Sequence, residues 1–147
     1  MYEHLLVPLD GSELSERAAQ ASLELARKLG ARITAFVAEP LAPLPHMGSH
    51  AGSYALEVDK HLSRTEAHAQ EVLDRFRARA DESGVQFTGR FMRTDAVDDA
   101  IVSAAQDAGC DLIVMVTHGR GAFGELMFGS HTKSVITRSK LPLLVLH

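Results

Sequence analysis

Short apolar runs alternate with longer amphipathic segments along the whole chain, and this alternation restricts the fold more than any other feature. Five runs, rich in aliphatic and β-branched residues, predict strands over 5–9, 33–37, 85–92, 112–116 and 141–146. The four segments between them carry apolar residues at helical spacing. Strands that alternate with helices form a parallel sheet with right-handed crossovers. The sequence therefore predicts an α/β fold, a doubly wound five-stranded parallel sheet with helices on both faces.

Capping residues predict where these helices begin and end. Ser12 is expected to cap the first helix and Asp95 the third, because short polar side chains accept hydrogen bonds from the first free amides. Gly30 and Gly109 are expected to end the same two helices. The second helix is predicted over 54–83.

The segment 39–53, which precedes the second helix, has no periodicity and contains three prolines. At about 15 residues it is long for a loop in a compact domain, and such loops are commonly mobile or functional. A lid over a ligand is one hypothesis for it.

The composition excludes several classes of protein. The chain has 147 residues, 46% of them apolar, and is expected to form a single domain over 1–147. Its formal net charge of −4 and the lack of a basic stripe argue against nucleic-acid binding. No apolar run approaches the roughly 20 residues that span a bilayer, and the N-terminus does not resemble a signal peptide. One cysteine cannot form an internal disulfide framework. We therefore expect a cytoplasmic protein without nucleic-acid or membrane partners.

The last quarter of the chain joins an apolar strand to a glycine-rich loop and then to a helix. Glycines that include Gly119 and Gly129 follow the strand 112–116, and Ser130 is a favoured cap for the helix. Amides in such a loop and at a helix N-terminus bind anions. The loop leaves the carboxyl end of a strand, where open α/β sheets bind ligands. The arrangement predicts a phosphate-bearing ligand; the alternative is that these glycines only form turns.

The whole chain, from LLVPLDGSELSERAAQAS to PLLVLH, resembles the universal stress protein family. Nucleotide-binding members of that family carry G-x2-G-x9-G-[ST] after the fourth strand. Gly119, nine intervening residues, Gly129 and Ser130 match the second half of the motif, whereas Val116 occupies the position of its first glycine. The resemblance implies the strand order 3-2-1-4-5. It also implies an adenine nucleotide, ATP or AMP and possibly with Mg, in the crevice between strands one and four.

Val116 departs from the motif, since a β-branched side chain adds bulk and restricts the backbone where the family has glycine. The alternative function is therefore that of a universal stress protein that binds no nucleotide and acts through protein–protein association. Under either hypothesis the downstream signalling partner is unknown.

The resemblance assigns roles on both walls of the crevice. Asp10 would bind the ribose hydroxyls, and the structural alternative is an Asx turn with Gly11 and Ser12. Val37 would hold the adenine edge through its backbone. The candidate binding residues together are Pro8, Asp10, Val37, Val116, His118, Gly119, Arg120, Gly129, Ser130, His131 and Thr132.

The phosphate-binding residues implied by the resemblance are Gly119, Gly129, Ser130 and Thr132. Ser130 would be a favoured helix N-cap whether or not a ligand is bound. Arg120 and His131 would add positive charge around a polyphosphate or lie solvated at the surface. His118 would contact the ligand or hydrogen-bond the backbone of the loop.

Catalytic machinery does not accompany the loop. The segment 124–130 has the glycine spacing of a P-loop but lacks the lysine that reaches the β- and γ-phosphates. No G-x-S-x-G motif presents a serine nucleophile, and no general base for ATP hydrolysis is evident. We therefore expect a sensor or regulatory module rather than an enzyme, with at most very slow ATP hydrolysis.

The eight histidines and the single cysteine do not form a recognised zinc pattern. His61 and His68 lie seven residues apart on the second helix, and Cys110 stands alone. No metal site is predicted, and Cys110 is expected to be buried as a small apolar side chain.

The last strand is apolar and is expected at an edge of the sheet. An open apolar edge is prone to aggregation, so pairing with a second copy is its natural cover. The family also dimerises through this strand, and a homodimer is therefore expected.

Overall fold

Five parallel strands form the centre of the fold in the order β3-β2-β1-β4-β5. The structure is a computed structural model that describes residues 1–48, 50–116 and 129–146, with backbone alone at 129–131. Its elements are β1 (His4–Leu9), α1 (Glu13–Leu29), β2 (Arg32–Glu39), α2 (Ala51–Ser83), β3 (Phe87–Arg93), α3 (Val97–Asp107), β4 (Leu112–Val116), α4 (Gly129–Arg138) and β5 (Leu143–Leu146). The predicted doubly wound α/β fold and its strand order are confirmed, with β3 and β5 at the two edges.

The central strands are buried on both faces, which is why they are apolar at nearly every position. Leu5, Val7 and Leu9 of β1 pack against α1 and α2. Leu6, which points the other way, packs in a second cluster with residues of α3 and with Val135 of α4. Successive strand residues face opposite sides of a sheet, so one apolar strand contributes to both clusters. The sheet therefore has helices on both faces, as predicted.

The ends of α1 follow its sequence. The Ser12 hydroxyl oxygen accepts a hydrogen bond from the Ser15 amide at 3.2 Å, as expected of an N-cap. Gly30 has a φ of +67° and its amide donates to the carbonyl of Ala26, which closes the helix in the left-handed conformation. Both predicted boundaries are confirmed.

The predicted N-cap of α3 is wrong. This helix begins at Val97 after Ala96, and no side chain caps it. The Asp95 carboxylate instead accepts a hydrogen bond from the Leu41 amide at 3.1 Å, and so holds the segment that follows β2. The Thr94 hydroxyl accepts from the Ala96 amide at 3.0 Å. Asp95 is thus engaged by a long-range contact that local sequence does not reveal.

Two helices begin earlier than predicted. α2 begins at Ala51 rather than at residue 54, with the Tyr54 amide donating to the carbonyl of His50 at 2.9 Å. Its first turns are mostly exposed, so no apolar periodicity marks them. α4 begins at Gly129, one residue before the predicted cap Ser130.

The described helices include none that is long and apolar enough to cross a membrane.

A buried polar cluster lies at the amino end of the sheet. His4 Nε2 is 2.7 Å from the Thr34 hydroxyl, and both residues are buried. Cys110 is buried in the cluster of α3, as predicted, and burial raises the pKa of its thiol to about 11. Cys110 is therefore a poorly reactive packing residue, because the thiolate is the nucleophilic form.

The buried His4 predicts that stability falls on acidification. Burial, with the nearby Arg32, lowers the pKa of His4 in the folded protein. The unfolded chain therefore binds the proton first, so this contribution to stability is complete above the ordinary pKa of about 6.5. It is lost as the pH falls through the lowered folded-state pKa. We expect His4→Gln to flatten the pH dependence of the free energy of unfolding, measured by urea titration between pH 8 and 4.5.

The exposed His50 provides the control, and His50→Gln should leave the wild-type pH profile unchanged. A His4→Gln profile as steep as that of the wild type would show that the acid sensitivity arises elsewhere.

Candidate functional site

A crevice opens where the carboxyl ends of β1 and β4 separate. β1 pairs with β2 as far as Leu9 and Val37, but it pairs with β4 only at Leu5 and Leu6. From this point α1 covers one face of the sheet and α4 the other, which makes it the topological switch point. Ligands of open α/β sheets bind in such crevices.

The described part of the crevice encloses a cavity of about 150 Å³. Its walls are mainly apolar, with a polar rim formed by Asp10, Ser12, Ser15 and Thr132. The lining residues are Pro8, Leu9, Asp10, Ser12, Leu14, Ser15, Ala18, Phe36, Ala38, Val97, Ile101, Met115, Val116 and Thr132. Small-molecule sites combine apolar walls with a few placed polar groups in this way.

Four of the predicted binding residues meet around this cavity. Pro8 and Asp10 come from the end of β1, and Val116 comes from the end of β4. Thr132, in the first turn of α4, is 6% exposed and completes the opposite wall. These residues are distant in sequence, and the sheet topology brings them together.

Of the other predicted residues, Val37 is not among the lining residues of the described cavity, and the rest lie wholly or partly outside the described part of the chain. The Val37 side chain is fully buried in the cluster with α1 and α2, on the far face of the sheet. His118, Gly119 and Arg120 lie outside the described residues. Gly129, Ser130 and His131 form the start of α4, where only the backbone is described.

Several apolar lining residues were not predicted from the sequence. Phe36 and Ala38 flank Val37 on β2 and point into the crevice, as strand alternation requires. Val97 and Ile101 of α3 and Met115 of β4 close the floor. Strand alternation would have identified the β2 pair, whereas the α3 residues become neighbours of β1 only through the crossover.

Asp10 forms the Asx turn that was considered as its structural alternative. One carboxylate oxygen accepts a hydrogen bond from the Ser12 amide at 2.9 Å, and the side chain is exposed at the rim. A carboxylate has two oxygens and about four acceptor positions. The turn therefore orients Asp10, which lines the cavity, and uses only part of the acceptor capacity of its carboxylate.

Gly11 holds this turn in a conformation that other residues rarely adopt. Its φ is +82°, and its amide donates to the Ser15 hydroxyl at 3.1 Å. A Cβ placed on Gly11 would lie 2.8 Å from His68 Nε2 and 3.0 Å from Val72 Cγ2. The turn thus rests directly on α2, and glycine is required for both conformation and space.

The histidines on α2 take part in hydrogen bonds. His61 Nε2 is 3.0 Å from the carbonyl of Pro40, and His68 Nδ1 bonds the Glu39 carboxylate. Across the part of the chain that the structure describes, no cluster of three or more ligating side chains is arranged to hold a metal ion.

This fold and crevice define a class, the doubly wound α/β domains with a crevice at the switch point of the sheet. Within that class, the chain belongs to the universal stress protein family, whose family model matches residues 1–147.

Known members of the family are similar over nearly the full chain. The "Universal stress protein in QAH/OAS sulfhydrylase 3'region" of Thermus aquaticus is 30% identical over 146 residues, which cover 99% of this chain and 98% of the relative. A crystal structure of a family member from Burkholderia pseudomallei is 26% identical, with a TM-score of 0.74 and coverage of 99% and 96%. A crystal structure of a universal stress protein in complex with cAMP is also 26% identical, with a TM-score of 0.70 and coverage of 99% and 97%.

We expect Gly11→Ala to destabilise the protein more than Gly30→Ala. Both glycines have positive φ, +82° and +67°, so each substitution introduces backbone strain. That strain costs about 1–2 kcal/mol. Only at Gly11 would the new methyl group also overlap a histidine ring, since the space around Gly30 is open. Urea unfolding of both variants measures the difference.

In a His68→Ala background, Gly11→Ala should cost less stability than it does in the wild type, because the overlapping ring is absent. Equal losses in the two single variants would contradict the close contact between the turn and α2.

Proposed function

We propose that the crevice binds an adenine nucleotide and that the protein acts as a regulatory module in a stress response. The observation that carries the proposal is the position of Asp10 and Thr132 on opposite walls of an apolar cavity at the switch point. A nucleotide combines a flat apolar base, ribose hydroxyl donors and an anionic phosphate. The crevice offers a complementary feature for each of these three parts.

The base would lie against the apolar walls formed by Phe36, Ala38 and Ile101. The ribose hydroxyls would donate to the Asp10 carboxylate. The phosphate would lie at the N-terminus of α4, where free amides and the helix dipole favour an anion. The cAMP complex of a similar protein supports an adenine nucleotide as the ligand.

Val116 reduces the space at the ribose end of the site. The residue is partly buried and lines the cavity, whose described volume of about 150 Å³ is below the usual range for a complete small-molecule ligand. We propose that the base enters this cavity and that ribose and phosphates extend over its rim. ATP and AMP both satisfy this arrangement, and a magnesium ion would bind through the phosphates of ATP.

The same residue supports the second candidate, a protein that binds no nucleotide and acts through protein association. If the Val116 side chain closes the crevice, the cavity serves only as part of the packing. Replacement of this valine by glycine would then create a binding site that the native protein lacks.

Catalysis is not part of the proposal. Among the described lining residues, Asp10 is the one ionisable side chain, and it is engaged in its own turn. Efficient hydrolysis needs a general base or a water-positioning group near the phosphates. Any ATP hydrolysis is therefore expected to be very slow.

The first test is the small-molecule content of the purified protein. We expect that denaturation releases a stoichiometric adenine nucleotide, identified by chromatography. Asp10→Asn keeps an acceptor for the Ser12 amide but removes the charge, and should weaken nucleotide binding about tenfold, the effect of one charge-assisted hydrogen bond. Calorimetry measures the affinity, and Asp107→Asn at the far end of α3 is the matched control.

An empty extract and no heat from added ATP with magnesium would contradict nucleotide binding. If Val116→Gly then gained affinity, the second candidate would be supported.

We also propose a homodimer formed through β5, whose outer edge is open in the described chain. The Ile113 amide donates to the carbonyl of Pro142 at 3.0 Å. Alternate residues of a strand bond the same parallel neighbour, so the backbone of Leu144 faces β4 and that of Val145 faces the open edge. A partner strand would therefore pair with the Val145 backbone.

Val145→Pro should convert the dimer to a monomer, because it removes an outward amide without breaking the ladder to β4. Light scattering at micromolar concentration measures the mass. Leu144→Pro is the comparison and should lower stability, since its amide bonds β4. A native protein that is monomeric at this concentration would contradict the dimer.

A further inference from the structure

A buried carboxylate lies at the end of β2, outside the crevice. Glu39 is the last residue of the strand, and its side chain is only 10% exposed. A carboxylate in such a place is strongly destabilising unless a donor satisfies it. His68 Nδ1, on α2, supplies that donor. Because a carboxylate can only accept, the proton lies on Nδ1.

This hydrogen bond fixes the orientation of the His68 ring. With Nδ1 held by Glu39, the Nε2–Cε1 edge of the imidazole is turned toward Gly11. The distances from the Cβ position of Gly11 to these two atoms are 2.8 and 3.4 Å. The ring therefore forms the surface on which the turn after β1 rests.

The turn that rests on the ring is the one that carries Asp10. Asp10 and Gly11 are adjacent, and the turn is closed by hydrogen bonds from the Ser12 amide to Asp10 and from the Gly11 amide to Ser15. A movement of Gly11 away from α2 would therefore move the Asp10 carboxylate at the rim. Glu39 and His68 do not themselves line the cavity.

We propose that Glu39 and His68 are positioning residues of the crevice, which hold the Asp10 turn where its carboxylate can accept from ribose hydroxyls. The proposal rests on the proposed nucleotide function. By holding Asp10 in place, the pair would enable the site to distinguish a ribose from a sugar that lacks the hydroxyls. Neither residue touches the ligand; both act through Gly11.

The exposure of the two side chains is consistent with this role. His68 is 44% exposed, so removal of its ring leaves only a small cavity in the core. Val72, which also contacts the Gly11 turn, and Phe76 of α2 belong to an apolar cluster, whereas His68 does not. Loss of the ring itself should therefore cost little packing energy, whereas loss of its donor leaves the Glu39 carboxylate unsatisfied and lowers stability as well.

His68→Phe is the decisive variant. It keeps a ring of similar size but has no donor, so the buried Glu39 carboxylate is left without its partner and the ring loses its fixed orientation. Glu39→Gln is the conservative variant. Its amide oxygen can still accept from His68 Nδ1, and no buried charge remains. Arg79→Gln is the matched control, since it removes a polar link from α2 to Glu16 of α1, about three helical turns along α2 from His68.

The first measurement uses the protein without ligand. Amide hydrogen exchange of Gly11 and Ser12 reports directly on the turn. We expect both amides to exchange about tenfold faster in His68→Phe than in the wild type. A factor of about ten is the effect expected from the loss of one hydrogen bond. The Glu39→Gln and Arg79→Gln variants should retain the wild-type rates.

The second measurement compares the affinity for AMP with that for 2′,3′-dideoxy-AMP, which lacks both hydroxyls. His68→Phe should reduce the preference for AMP about fivefold, the share of one hydrogen bond, with little change in affinity for the dideoxy nucleotide. A purely structural role would lower the melting temperature and leave this preference unchanged.

The outcomes separate this proposal from the proposed function. Wild-type exchange rates and an unchanged nucleotide preference in His68→Phe would overturn the positioning role. An equal loss of affinity for both nucleotides would also overturn it. If the native protein bound neither nucleotide, the proposed function and the ribose role would fail together, and exchange in the ligand-free protein would still decide whether the pair holds the turn.

Discussion

The burial of β1 between β2 and β4, with helices over both faces, is the constraint on which the rest of the structure depends. It buries every residue of the strand from His4 to Val7, so a polar side chain there is costly without a partner, and His4 has one in Thr34. The same burial fixes the connections: α1 must return over one face and α3 over the other. The carboxyl ends of β1 and β4 separate as a result, and the crevice opens between them.

The shape of the crevice depends mainly on main-chain geometry, which in turn sets the positions of the side chains. The left-handed Gly11 allows a sharp turn immediately after the strand, and this turn places Asp10 at the rim. α2 supports the turn from below through His68, which is in turn held by the end of β2. The ends of β1 and β2 thus meet α2 at one level of the sheet. The apolar walls, in contrast, need only be of suitable size, and they are drawn from several elements that include β2, α3 and β4.

Local sequence was sufficient to predict the elements and the class of the fold, and the family resemblance added the strand order. The alternation of apolar strands and amphipathic helices, the cap at Ser12 and the end of α1 at Gly30 depend on neighbours in sequence, and all are confirmed. The wrong cap at Asp95 and the unpredicted Glu39–His68 pair both depend on contacts between residues distant along the chain. A charged residue next to a turn or a strand end gives no signal of which remote group will bind it. The wall residues of α3 were not predicted for the same reason.

The cavity draws its lining from β1, α1, β2, α3, β4 and α4, so no smaller unit of the chain contains it. A molecule that binds there recognises only the fully assembled protein and has no counterpart in the unfolded chain. Its binding free energy is therefore added to the stability of the entire fold, by about 2.7 kcal/mol at a concentration one hundred times its dissociation constant. The abundance of the folded protein in a cell would then follow the concentration of its ligand, independently of any change in shape.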